Sequence, residues 1–255
     1  MDNSKLQQYQ EETFGLDDRD FLTWSLKSFG GRLSFASSLG AEDQVLLHLL
    51  EETLSRLELP TYTLEAFTLD TGRLPQESYN VLQVNRKKFN LPLRIYFPDT
   101  TAVESMVENQ GINGFYQSLE NRKSCCAVRK IGPLKRALGG KAAWMTGLRK
   151  TQAVTRGDLQ RVEWDEAHGL FKLNPLAQWT TDDVWNLIRT QGIPYNALHD
   201  RGFPSIGCEP CTRAVNPGED ERSGRWWWES PEHKECGLHV KDSGVKKFNF
   251  QTITK

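Results

Sequence analysis

Short apolar runs alternate with longer amphipathic stretches through the first two-thirds of the chain, a rhythm that belongs to β-α-β units and a mostly parallel sheet. The apolar runs predict strands at Leu33–Ser37, Tyr62–Leu69, Leu93–Phe97 and Ala143–Thr146. Between them, apolar residues at three- and four-residue spacing predict helices over Ala41–Leu54, Pro75–Phe89, Thr101–Asn109 and Cys126–Leu138, with Pro75 in a first helical turn. Thr180 and Asp183 form a capping-box pattern ahead of Val184, Trp185 and Ile188, and Gly192 and Pro194 close that helix. From Asn196 to Lys255 periodicity fades among Gly, Pro and charged residues, which predicts irregular structure and a mobile tail. The expected fold class is α/β: an open, mostly parallel sheet flanked by helices, with residues 1–218 as the body and 219–255 as a mobile C-terminal segment.

Composition narrows the function more than the fold. With 255 residues, 38% hydrophobic and 25% charged, the chain is ordinary for a water-soluble protein and has no apolar run that could span a bilayer. Met1 to Asp20 is polar and acidic, unlike a signal peptide, so a cytoplasmic location without membrane contact is expected. A net charge of −1 argues against a general nucleic-acid partner. Five cysteines without an export signal point to metal binding or thiol chemistry, because the cytosol keeps thiols reduced.

Four of the five fall into two groups: the adjacent Cys125 and Cys126, and the Cys-x-x-Cys of Cys208 and Cys211 around Pro210. Either group alone is compatible with core packing. Together they read as a metal site. Two adjacent cysteines aim poorly at one zinc ion, whereas a four-iron cube offers each sulfur its own iron, so the vicinal pair leans toward a [4Fe–4S] cluster. A thioredoxin-type Cys-x-x-Cys is the competing reading, and it leaves Cys125 and Cys126 without a purpose. Cys236 stands apart, with Lys234 and His239 near enough in sequence to favour a thiolate and Gly237 beside it; an incidental surface thiol and a nucleophile both fit the local sequence.

Two strand ends lead into phosphate-cradle patterns. Ser37, Ser38, Gly40, Glu42 and Asp43 follow the first strand directly into a helix, and Leu69, Asp70, Thr71 and Gly72 end the second. A later strand is followed by Gly147 to Arg156, which carries Arg149, Lys150 and Arg156 and no acid, as a sulfate or phosphate clamp does and as a solvated basic loop also does. Arg222 and Arg225 precede Trp226, Trp227 and Trp228, between the second cysteine pair and Cys236.

Taken in order from Ser34 to His239, these motifs resemble those of the assimilatory adenylyl-sulfate and phosphoadenylyl-sulfate reductases. The matching segments include Ser38-Leu39-Gly40-Ala41-Glu42-Asp43, Leu69-Asp70-Thr71-Gly72-Arg73, Cys125-Cys126-x-x-Arg129-Lys130, Gly207-Cys208-x-x-Cys211-Thr212, Gly224-Arg225-Trp226-Trp227-Trp228-Glu229 and Glu235-Cys236-Gly237-Leu238-His239. The resemblance implies an adenine nucleotide alpha-hydrolase-like fold, Cys236 as nucleophile beside His239, and Lys130 close to both cluster and substrate. It implies further that Arg149, Arg156, Arg222 and Arg225 grip phosphate and sulfate. It also implies a [4Fe–4S] cluster on the two cysteine pairs, preference for adenosine 5′-phosphosulfate over its 3′-phosphorylated form, and resolution by thioredoxin or a glutaredoxin-like dithiol in the assimilatory route to cysteine. A homo-oligomer without a fused thioredoxin-like domain is expected. The tail Val240 to Lys255 is longer than the pattern needs. The competing functions are a reductase that prefers the 3′-phosphorylated nucleotide, an ATP pyrophosphatase-type adenylating enzyme, whose usual Ser-Gly-Gly-x-Asp-Ser loop is not matched here, and a metal-bearing nucleic-acid module, which leaves Cys236 unused.

Overall fold

Leu33 to Ser37 is apolar enough to be buried on both faces, and it forms the central strand β1 of the computed structural model, which describes residues 3–152 and 157–230. The sheet has six strands in the order β3-β2-β1-β4-β6-β5, with β2 at Glu65–Leu69, β3 at Leu93–Tyr96, β4 at Ala143–Met145, β5 at Val162–Asp165 and β6 at Leu170–Leu173. All neighbours are parallel except β5, which runs antiparallel to β6 at one edge. Strand order reverses between β1 and β4. In an open sheet of this kind the crevice at the carboxyl ends beside that reversal is where ligands bind.

Helices α1 (Asn3–Glu12), α2 (Asp18–Phe29), α3 (Ala41–Arg56), α4 (Gln76–Lys88), α5 (Thr100–Gln110), α6 (Leu119–Cys126), α7 (Gly132–Ala137) and α8 (Thr181–Gln191) surround the sheet. The main core joins Phe21, Leu22 and Leu26 of α2 to Val45, Leu46, Leu47 and Leu50 of α3 against Leu33 and Phe35 of β1. Full burial of each such side chain contributes about 1.5–3 kcal/mol, which fixes α3, and therefore the loop that feeds it, against the sheet. On the opposite face Phe67, Leu134, Ala137 and Trp144 form a second cluster beneath α7.

The anticipated strands are present, with β2 starting later, at Glu65, because Thr61–Thr63 forms a 3₁₀ turn. The Thr180 capping box is complete in both directions, and Gly192 closes α8 in the left-handed conformation. Pro75 is the N-cap of α4 rather than a residue of its first turn. Three features differ from the reading of periodicity. Helices α1 and α2 precede the sheet, and the β5–β6 hairpin extends it. The helix anticipated from Cys126 is instead the end of α6, followed by a π-helical turn at Ala127–Ile131 and then α7. Residues 196–230 are irregular as anticipated, yet Cys208, Cys211 and Trp226 within them are buried. No helix among the described residues is long and apolar enough to cross a membrane.

Candidate active site

The carboxyl ends of β1, β2 and β4 open onto a cavity of about 210 Å³. The loop after β1 enters α3 through Leu39, which takes a positive φ of 65° while its side chain is buried, and through Gly40 as N-cap. Ser37 Oγ accepts from the Leu39 N–H at 3.2 Å, and Ser38 Oγ accepts weakly from the Gly40 N–H at 3.4 Å. Ser37, Ser38, Gly40, Glu42 and Asp43 all line the cavity. The Asp43 carboxylate takes the Ser38 N–H and hydroxyl, each at 2.6 Å, and the Gly147 N–H at 3.0 Å. Burial pushes its carboxyl up to about 6 despite these bonds.

Leu69 and Thr71 line the same cavity from the end of β2. Asp70 turns inward, accepting from the Gly72 N–H at 2.8 Å and the Tyr79 hydroxyl at 3.1 Å, and burial together with Asp70 pushes the Tyr79 phenol up to about 12. Gly72 has a positive φ of 69°, and the guanidinium of Arg129 reaches past it to the Thr71 carbonyl at 2.6 Å. Thr71 Oγ1 lies 3.2 Å from Cys208 Sγ, so this loop belongs to both the crevice and the cysteine site.

Arg149 is 1% exposed and does not line the cavity. It pairs with Glu42 at 2.8 Å, bonds Thr151 Oγ1 at 2.7 Å and reaches Glu221 at 3.5 Å. Arg222 and Arg225 do line it. The buried Arg225 guanidinium stacks 4.7 Å from the Trp226 ring and passes Gly207 so closely that a Cβ there would collide with it. Lys130, carried by the π-helical turn, reaches the cavity wall and sits 5.9 Å from the same ring. Such turns often mark functional sites because the extra residue re-aims side chains.

The structure brings the four paired cysteines together. Cys126, Cys208 and Cys211 form one buried cluster with Phe115 and Trp226, with the half-buried Cys125 packed at its edge, and all four are free thiols. Burial pushes the Cys211 thiol up to about 12, aided by neighbouring Cys208 and opposed by Lys130 and Arg225. Burial likewise raises Cys125, opposed by Arg129. Among the described residues no three His, Cys, Asp or Glu side chains are placed to hold a single metal ion. Cys236, His239 and Arg156 lie outside the described residues.

Beneath the cysteines, Arg122 of α6 makes a bidentate pair with Glu229 at 2.9 and 2.8 Å, with side chains 1% and 7% exposed. Removing one partner strands a buried charge. Glu229→Gln is therefore expected to lower stability to urea by about 3–5 kcal/mol; an unchanged midpoint would show that the pair is dispensable. Sequence reasoning missed Trp144, Gln152, His199, Ser205 and Ile206 as cavity residues. A strand pattern marks Trp144 as apolar but cannot say which face meets a ligand. His199 had no distinguishing neighbours in sequence; burial holds its imidazole below the usual range, and its ring packs edge-on against Trp185. A wider depression of about 720 Å³ lies at the β3 edge, lined by none of the residues of the crevice or the cysteine cluster.

Residues 32–214 match the model of the phosphoadenosine phosphosulfate reductase domain. The chain is 52% identical over 208 residues to an adenosine 5′-phosphosulfate reductase of Allochromatium vinosum, covering 82% of this chain and 78% of the relative. It is 49% identical to a protein of that name from Burkholderia cepacia, covering 82% and 81%. Its fold is similar to that of a phosphoadenylyl-sulfate reductase from Candida auris solved with phosphate, with a TM-score of 0.68 and 24% identity over 84% of this chain and 98% of the other. An FMN adenylyltransferase of Candida glabrata shares the fold at a TM-score of 0.56 and 17% identity, over 84% and 68%. Strand order, switch-point crevice and family match agree, and the chain belongs to the phosphoadenosine phosphosulfate reductase family.

Proposed function

We propose that this protein reduces adenosine 5′-phosphosulfate to sulfite and AMP, the activity named for its relatives from Allochromatium vinosum and Burkholderia cepacia. The structural observation that carries the reading is the shared wall: Cys208 belongs to the four-cysteine cluster and also lines the crevice at the strand-order reversal. The Cys236 thiolate attacks the sulfate sulfur, the sulfur–oxygen bond to AMP breaks, and the electron pair leaves on the phosphate oxygen. Arg222, Arg225 and Lys130, on the cavity wall, balance that charge. A dithiol of the thioredoxin or glutaredoxin class then attacks Cys236 Sγ, sulfite departs with the bonding pair, and the dithiol ends as a disulfide, having supplied both electrons.

Cys125, Cys126, Cys208 and Cys211 are the residues that would hold a [4Fe–4S] cluster. Four free thiols gathered in one apolar pocket, with Arg129, Lys130 and Arg225 bearing on them, fit a thiolate-ligated, negatively charged group, and the adjacency of Cys125 and Cys126 favours a cube, which offers each sulfur its own iron, over a single zinc ion. Bound there, the cluster would supply local charge and structural order, and the reaction as written needs no electrons from it.

Among the described residues the Lys and Arg side chains lining the crevice, Lys130, Arg222 and Arg225, are assigned in this reading to the phosphosulfate end or the cysteines. A 3′-phosphate adds about −1.5 to −2 charges that need their own partner. An unmatched buried anion costs about 3 kcal/mol, so kcat/KM for adenosine 5′-phosphosulfate is expected to exceed that for the 3′-phosphorylated nucleotide by about 10²-fold. Sulfite release with thioredoxin, measured with the two nucleotides in competition, tests this. Equal constants would overturn the preference, and pyrophosphate release from ATP without sulfite would replace the reaction.

A further inference from the structure

Two loops flank the reversal of strand order: the one between β1 and α3, and the one after β4. Asp43, the third residue of α3, joins them. In a capping box the acid at this position bonds the backbone of its own N-cap. Here the carboxylate reaches beyond the N-cap, Gly40, to the Ser38 N–H and hydroxyl with Oδ2, both at 2.6 Å. Its Oδ1 takes the Gly147 N–H, 104 residues away, at 3.0 Å. Gly147 is shaped for this contact, since a Cβ there would strike Asp43 Oδ1 and crowd Glu42 Cβ at 3.1 Å. Neighbouring Glu42 points elsewhere, to Arg149. Asp43 is 7% exposed, and its oxygens are turned to protein donors. A carboxylate so placed gives an anionic substrate no attraction, yet it fixes the distance between the two walls of the site.

We propose that Asp43 is a positioning residue, a latch that holds the Ser38 and Gly147 loops at the separation an adenosine nucleotide requires and so sets nucleotide affinity without touching the reacting sulfur. The identity of the nucleotide rests on the function proposed above; the latch itself rests on the three hydrogen bonds and the missing Cβ.

In Asp43→Asn the side chain keeps its size, but the amide has a single acceptor oxygen, so it can serve the Ser38 donors or the Gly147 N–H and not both. The expected result is a KM for adenosine 5′-phosphosulfate raised about 10-fold or more with kcat within about threefold, the signature of lost uniform binding. Calorimetric affinity for AMP should fall by a similar factor, a readout that does not need turnover. Gly147→Ala presses on the same contact from the other loop and should produce the same split. The double variant should be little worse than the poorer single one, because both remove one interaction. A folded Asp43→Asn protein with wild-type KM and AMP affinity, or effects of the two substitutions that simply multiply, would overturn the latch. If Asp43→Asn fails to fold, Gly147→Ala carries the test, and wild-type affinity in that variant overturns it. If the wild type binds AMP but releases no sulfite, the proposed reaction fails while the latch stands or falls on AMP affinity alone.

Discussion

Cys236→Ser is expected to lower sulfite release by about 10⁴-fold or more while leaving the iron and acid-labile sulfide of the proposed cluster at wild-type levels. The reasoning begins with the division of the five cysteines. Four gather in one buried, apolar pocket beside Trp226, a setting that suits metal ligands or inert core thiols. On the proposed reaction Cys236, which the sequence sets apart from the two pairs and between Lys234 and His239, is the thiol that attacks the sulfate sulfur. A serine hydroxyl at this position is a far weaker nucleophile and cannot form the sulfur–sulfur bond that a dithiol later cleaves. Mass spectrometry supplies the complementary reading: wild-type protein given adenosine 5′-phosphosulfate without reductant should gain one SO₃ unit on Cys236, and the variant should gain none. Turnover retained in Cys236→Ser would remove the residue from the mechanism.

The parts of the fold that were legible in the sequence are those in which one physical signal dominates. Strand β1 is buried on both faces and reads as a short apolar run with the limits the structure shows. The Thr180 box declares itself through side chains that bond their own backbone. Where two signals compete, periodicity fails. The residues after Cys126 keep a helical spacing, yet the backbone widens into a π turn that carries Arg129 and Lys130 toward Thr71 and the crevice, and one inserted residue leaves no compositional trace. The β5–β6 hairpin mixes Glu163, Asp165, His168 and Lys172 with apolar residues. Its polar members are partnered inside the protein, as when Asp165 accepts from the Trp144 indole at 3.0 Å and pairs with His168 at 2.9 Å.

At the site the residue types were readable and their partners were not. The sequence marks Asp43 and Arg149 as charged groups at strand ends; only the structure shows the one bonded to Ser38 and Gly147 and the other to Glu42. Contacts across a hundred residues depend on which loops the sheet order brings together, and strand order is a property of packing rather than of local pattern.

Cys208→Ser is expected to remove most iron and acid-labile sulfide from anaerobically purified protein and, with it, sulfite release by about 10³-fold or more. Cys236→Ser should abolish only the second, so the pair of variants separates the proposed cluster from the proposed nucleophile. Cys208 is the more telling choice among the four because of what surrounds it. Its sulfur lies 3.2 Å from Thr71 Oγ1, its turn is tied to the β2 loop by the Glu209 N–H on the Arg73 carbonyl at 2.8 Å, and its side chain borders both the cysteine cluster and the crevice. Serine there can keep a hydrogen bond with Thr71, but it offers iron a hard, protonated oxygen in place of a soft thiolate. The three remaining cysteines behave as small apolar groups when unliganded, so the sheet should survive and far-ultraviolet circular dichroism should hardly change. Near-ultraviolet signals should change, because Trp226 and Trp228 pack on the cysteines and report whether that pocket is filled and rigid. Stoichiometric zinc without sulfide in the wild type would replace the cluster by a zinc site. Full iron and sulfide in Cys208→Ser would mean that the ligand set does not include this turn, and the shared wall would then be a packing contact between two independent sites.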